Sequence, residues 1–138
     1  NYLKNSEYSF IRLIKSGILN NNRIYDNLFE IESDNPTVFA MQPTIWKTSD
    51  YIKLMSEVKE EKWLEIPKYR EVIIYLNLKG LYYYNGERKI GGAHYDTKLY
   101  PYVATAVIKG KWNYREYKNE LEPMLIKHDI DVNKRGIF

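Results

Sequence analysis

Tyr69-Arg70-Glu71-Val72-Ile73-Ile74-Tyr75-Leu76-Asn77-Leu78-Lys79-Gly80-Leu81-Tyr82-Tyr83-Tyr84-Asn85-Gly86-Glu87-Arg88-Lys89-Ile90 is the stretch whose reading decides the fold. Val72, Ile73, Ile74, Tyr75, Leu76 and Leu78 have the β-branched, aromatic and apolar character of a strand with a buried face, and Pro67 stands just upstream. Asn85-Gly86 has the composition of a type I′ turn, which predicts a hairpin pairing 81–84 with 87–90. The rest of the chain is then expected to pack on this sheet.

Working outward toward the N-terminus, residues 6–16 read as a helix. Ser6 is its cap, Gly17 its stop, and Phe10, Leu13, Ile14 and Ile18 share one face, with Arg12 and Lys15 turned to water. Residues 24–31 fit either a short strand or a helical turn. Asp34-Asn35-Pro36 is turn chemistry, and 37–41 a short buried strand. Thr48 or Ser49 caps a second helix over about 50–62, with Tyr51, Leu54, Met55 and Val58 inward. Toward the C-terminus, 102–108 and 111–114 read as strands around a Lys109-Gly110 turn. Residues 115–128 hold helix formers but also Pro123, so either a helix stops near Leu121 or 124–126 is a strand. The last ten residues read as a tail or an edge strand. The order predicts an α+β domain, a mostly antiparallel sheet flanked by two or three helices.

With 138 residues, the chain reads as a single domain, 1–138, large enough to bury a core; it starts at Asn1 and is open to being a fragment of a longer protein. It contains no cysteine, so thiolate metal sites and disulfides are excluded. His94 and His128 are not at ligand spacing, and no metal site is expected. No apolar run reaches the roughly 20 residues of a membrane span, and no signal peptide is visible. The net charge of +3 permits an anionic partner without requiring one. The 14 tyrosines suit half-buried sheets, interfaces and base stacking alike, and an AT-rich coding sequence would also enrich them.

Three constellations carry chemistry. Glu120 and Glu122 flank Leu121; on a strand they would point to one side and could work as a pair, and on a helix they diverge. Trp46-Lys47-Thr48-Ser49-Asp50 puts hydroxyls beside an aromatic ring at a helix start, either as a plain cap or as a holder of phosphate or carboxylate. Lys109, Lys111, Trp112, Tyr114 and Arg115, with His94 and other cations and rings of the second half, form the basic and aromatic set that single-stranded nucleic acid requires. Cross-strand packing with surface lysines would use the same residues. His94, followed by Tyr95 and Asp96, is also a candidate general base for RNA cleavage.

The segment from Tyr2 to Leu19, with its Lys15-Ser16-Gly17-Ile18-Leu19 end, resembles the opening of ADP-ribosyltransferase-like domains. Residues 37–41 ahead of a capped helix resemble the family's next strand, 71–78 its long central strand, and Glu120-Leu121-Glu122 its glutamate-x-glutamate. The resemblance covers about two thirds of the chain as pattern. Tyr2 stands where the family has a first-strand Arg or His, and Thr48-Ser49 follow the strand that should begin with the serine-threonine-serine element. What it implies is an NAD-dependent enzyme of toxin or phage-conflict type that modifies a macromolecule. Glu122 would stabilise the ribosyl cation, Glu120 would position the acceptor, and Trp46, Thr48, Ser49 and Tyr51 would hold NAD. The alternatives are a small module that binds RNA or single-stranded DNA, or cleaves RNA, on a basic tyrosine-rich face, and a non-catalytic protein-interaction domain.

Overall fold

The computed structural model describes residues 2–16, 20–58, 66–86, 89–90, 94–95, 99–100, 103 and 105–138, with backbone alone for 66, 89, 90, 94 and 95. The fold is α+β. Strands β1 (Phe10–Arg12), β2 (Arg23–Tyr25), β3 (Leu28–Ile31), β4 (Thr44–Trp46) and β5 (Gly80–Tyr83) form one sheet in the order β2-β3-β5-β1-β4. Only the β1–β5 pair is parallel; the other neighbours run antiparallel. A short helix α1 (Tyr2–Asn5) precedes the sheet, and α2 (Thr48–Val58) and α3 (Ile66–Tyr75) pack together beside it.

The decisive stretch divides differently from the reading above. Residues 66–75 are helix α3, not strand. Pro67 lies in the first turn, where its missing N–H costs nothing. Tyr69 and Ile73 are buried and Val72 and Leu76 half-buried, a helical stripe, while Tyr75 points to water at 78% exposure. The helix ends in a Schellman motif on Asn77, at φ 52°. Asn77 N–H donates to the Ile74 carbonyl at 3.0 Å, and Leu78 N–H to that of Ile73 at 2.9 Å. Leu78 is buried below the turn. Intrinsic β preference in Val-Ile-Ile-Tyr therefore yields to two good end signals and to packing.

The expected hairpin around Asn85-Gly86 is also replaced. β5 pairs with β1 and β3, and β6 (Lys89–Ile90) pairs with β7 (His94–Tyr95). Gly86 has φ 83° but Asn85 does not have positive φ, so no type I′ turn forms there. Residues 10–12 are strand, not helix, which places Phe10 and Arg12 on the buried face. Residues 24–31 form the β2–β3 hairpin, and 37–41 are turn rather than strand. The core joins Phe10, Ile31, Val38, Phe39, Leu54, Val58, Tyr69, Ile73, Leu78 and Tyr82.

The C-terminal part builds its own cluster. Strands β8 (Val107–Ile108) and β9 (Lys111–Trp112) meet across Lys109-Gly110, whose φ values of 48° and 81° are those of a type I′ turn. The expected strands at 102–108 and 111–114 thus shorten to these pairs among the described residues, and Tyr114 instead opens helix α4 (Tyr114–Lys127). That helix bends at Tyr117 and runs through Pro123, which is exposed and lacks the N–H for the Asn119 carbonyl. Neither a stop at Leu121 nor a strand at 124–126 occurs. A second Schellman motif at Asp129 closes it, with Ile130 N–H on the Leu125 carbonyl at 2.9 Å. Helix α5 (Val132–Arg135) then returns the chain so that Ile137 bridges Trp112 in parallel. Tyr117, Leu121 and Leu125 are the buried centre of this second cluster.

Candidate functional site

The β8–β9 turn gathers cations that are distant in sequence. A two-residue loop leaves Lys109 and Lys111 exposed at the hairpin tip. Helix α5 is capped by Asp131, whose carboxylate accepts from Asn133 N–H at 2.9 Å. The cap orients the helix so that its last turn, Lys134-Arg135, arrives beside that tip. The Arg135 guanidinium stands 5.2 Å from the Trp112 ring centroid, and Nη1 reaches the Gly110 carbonyl at 3.5 Å. A groove of about 560 Å³ runs between them, lined by Gly110, Trp112, Ile130, Asp131, Lys134 and Arg135. Its carboxylate, Asp131, is engaged at the helix cap.

Of the residues expected to contact nucleic acid, Trp112 lines this groove, and Lys109 and Lys111 are exposed on the hairpin to either side of Gly110, which also lines it. Tyr114 lies elsewhere, lining a different groove with Lys118, Glu122 and Leu125. Arg115 is exposed on the first turn of α4. His94 lies on β7, and its side chain is outside the described residues. Trp112 packs against the Tyr117–Leu121–Leu125 cluster, and Arg135 stands over its ring. Its role is to seat the guanidinium rather than to offer a free face for a base. Sequence reasoning missed Lys134 and Arg135, because nothing local in Asn133-Lys134-Arg135 indicates a return to residue 112.

Glu120 and Glu122 are both exposed on α4. Two residues apart on a helix they stand about 200° apart, so they address different targets. Glu122 lines the groove shared with Tyr114, and neither carboxylate lines the cleft formed by Trp46, Thr48 and Ser49.

The residues expected to hold NAD lie in two adjoining cavities. Trp46, Thr48 and Ser49 line one cavity of about 600 Å³ with Leu3, Lys4, Ile45 and Lys47. Tyr51 stands 5.5 Å from Trp46, ring to ring, and lines a neighbouring cavity of about 480 Å³ with Phe39, Met41 and Thr44. Trp46 in turn stacks on Phe10 at 4.3 Å. Lys47 Nζ donates to the Ser6 carbonyl at 2.5 Å.

Two cations expected in water are instead buried. Arg12 is 1% exposed; its guanidinium donates to Ser16 Oγ at 3.2 Å, the Val38 carbonyl at 3.1 Å, and the Thr37 carbonyl. Desolvation lowers its pKa to about 10. Lys15 Nζ donates to Asn21 Oδ1 at 2.9 Å and lies 4.5 Å from the Tyr84 ring centroid; burial moves its pKa downward. The adjacent Tyr82 hydroxyl donates to the Asn20 carbonyl, and its pKa rises to about 12, chiefly by desolvation and then by the charge on Tyr84. The signal for Arg12 was alternation in Ser9-Phe10-Ile11-Arg12, which places it on the same strand face as Phe10.

Among the described residues, no group of His, Asp and Glu is placed to hold a metal ion, and no helix is long and apolar enough to cross a membrane. A scan against protein-family models, a search of curated proteins and a search of solved structures each return no match.

Proposed function

We propose that the domain binds single-stranded nucleic acid through its phosphate backbone, at the Lys109–Trp112 hairpin and the Lys134-Arg135 turn. The observation that carries this reading is the seating of Arg135 over Trp112, which holds a guanidinium on the strand that also carries Lys111. Arginine held in one orientation loses less freedom when it grips a phosphate. Lys134 and Arg135 line the groove and Lys109 and Lys111 are exposed on the adjoining hairpin, so the four together would neutralise a short run of phosphates, and the inward-packed indole makes recognition electrostatic rather than base-specific.

The transferase reading has weaker support. It needs a carboxylate beside the ring that would stack on nicotinamide. Among the described residues, the Trp46 cleft is lined by two lysines and no acid, and Glu120 and Glu122 diverge on a helix. Glu122→Gln should therefore leave any NAD turnover by this chain unchanged.

The test of the main reading is fluorescence anisotropy with a labelled oligothymidylate and a mixed-sequence DNA of equal length. The domain should bind both within a few-fold of each other, and Arg135→Ala should weaken both equally. Tight, sequence-selective binding, or no effect of Arg135→Ala, would overturn it.

A further inference from the structure

Among the described residues, strand β4 is an edge of the five-stranded sheet, paired only with β1. Lys47 N–H donates to the Ser9 carbonyl and the Pro43 carbonyl accepts from Leu13 N–H, both at 2.8 Å, so these two residues face β1. Alternation along the strand then turns the N–H and C=O groups of Thr44 and Trp46 away from β1, toward the open edge. An unpaired edge of this kind is a template for another strand.

The two cavities described above meet at this edge. One carries Ile45, Lys4 and Lys47; the other carries Thr44, Met41, Phe39 and Tyr51; Trp46 borders both. Neighbouring strand residues point to opposite faces, so a strand added at β4 would send alternate side chains into the two cavities. The cavities differ in chemistry. Among the described residues, the Ile45 side presents two lysines and no carboxylate, while the Thr44 side is mostly apolar. Met41 and Ile45, at 67% and 53% exposure, stand at the rim uncovered.

We infer that the β4 edge is a docking site for an extended peptide segment of a partner protein in which acidic and apolar residues alternate. The acidic positions face Lys4 and Lys47, and the apolar positions face Met41 and Tyr51. A second copy of this chain is a poor occupant, because pairing two β4 edges brings both sets of lysines together. The site is separate from the basic hairpin and does not depend on the nucleic-acid reading.

The probe is a fluorescein-labelled peptide of alternating Val and Glu, with an alternating Val and Lys peptide as control. The whole chain should bind the Glu peptide and not the Lys peptide, and amide exchange at Thr44 and Trp46 should slow when the Glu peptide is added. Lys4→Glu, an exposed change outside the sheet, should weaken binding about five-fold, the scale of one reversed rim charge. Lack of binding, equal binding of the two peptides, or unchanged exchange at Thr44 and Trp46 would overturn the inference. So would slow exchange at these amides that depends on protein concentration without peptide, which would identify self-pairing instead.

Discussion

Gly80→Ala tests the step on which the main sheet depends, the parallel pairing of β1 with β5. Phe10 is in register with Gly80, and its ring lies over the glycine. A Cβ at position 80 would stand 2.1 Å from Phe10 Cζ, 2.4 Å from Cε2 and 2.7 Å from Cε1. Relief to ordinary contact requires the ring to move by more than 1 Å, about the difference between these distances and a normal carbon contact of roughly 3.5 Å. The ring has little freedom, since Trp46 stacks on it at 4.3 Å. Overpacking of this kind costs about 1–3 kcal/mol, and the upper end applies where three ring atoms clash. The lower backbone entropy of unfolded alanine returns about 0.5 kcal/mol. The net expectation is a loss of about 2–2.5 kcal/mol, or roughly 8–10 °C in Tm for a chain of this size. Urea denaturation followed by circular dichroism measures it, with an unchanged m-value as the check on two-state behaviour. Phe10→Leu in the same background should recover part of the loss, a coupling of about 1 kcal/mol or more. A neutral Gly80→Ala, or strictly additive effects of the two changes, would refute the register.

Other consequences follow from the buried polar groups and the helix ends. Arg12→Met should cost about 2–4 kcal/mol in urea denaturation, because it strands the Thr37 and Val38 carbonyls in the core. Asn77→Gly should raise stability by up to about 1 kcal/mol and Asn77→Val should lower it by about 1–2 kcal/mol, since position 77 holds φ 52°. Tyr82 has its folded pKa raised to about 12 from 10.0, so the stability it supplies is complete below pH 10 and is lost as pH climbs toward 12. Arg12, lowered by burial from its ordinary value to about 10, acts in the opposite sense over the same range. Tyr82→Phe should therefore lose less stability than the parent between pH 10 and 12, measured by urea midpoints at each pH.

The α+β class, the presence of α2 and the Lys109-Gly110 turn were legible because each rests on local chemistry: an amphipathic run that buries Leu54 and Val58, and a glycine where positive φ is needed. The cap expected at Thr48 or Ser49 does not form, since both lie inside the helix and its first bonds go to the Lys47 carbonyl, and Tyr51 and Met55 are exposed rather than inward. The two segments read in reverse show where local chemistry runs out. Residues 6–16 have helical spacing, and 10–12 become a strand because Phe10 fits over Gly80 and Arg12 finds two carbonyls across the core. Those partners are 25 or more positions away and leave no mark in the window. Residues 72–78 have strand composition, yet Pro67 and Asn77 were helix-end signals available in the sequence, and Asn77 was the one to weigh more. The basic site was half legible. Lys109, Lys111 and Trp112 lie on one hairpin and could be grouped, whereas Lys134 and Arg135 join them through long-range contacts, the bridge from Ile137 to Trp112 and those of Arg135 with Gly110 and Trp112.

The salt dependence of oligothymidylate binding is the most direct measurement of the account's central claim. If four cations at the hairpin and the α5 turn contact phosphates, log Kd against log salt should give a slope near 3, at about 0.7 per contact on a single strand. Lys111→Ala together with Arg135→Ala should lower that slope by about 1.4 while leaving the melting temperature within a few degrees. A slope near zero, or one that the double variant leaves unchanged, would contradict the account.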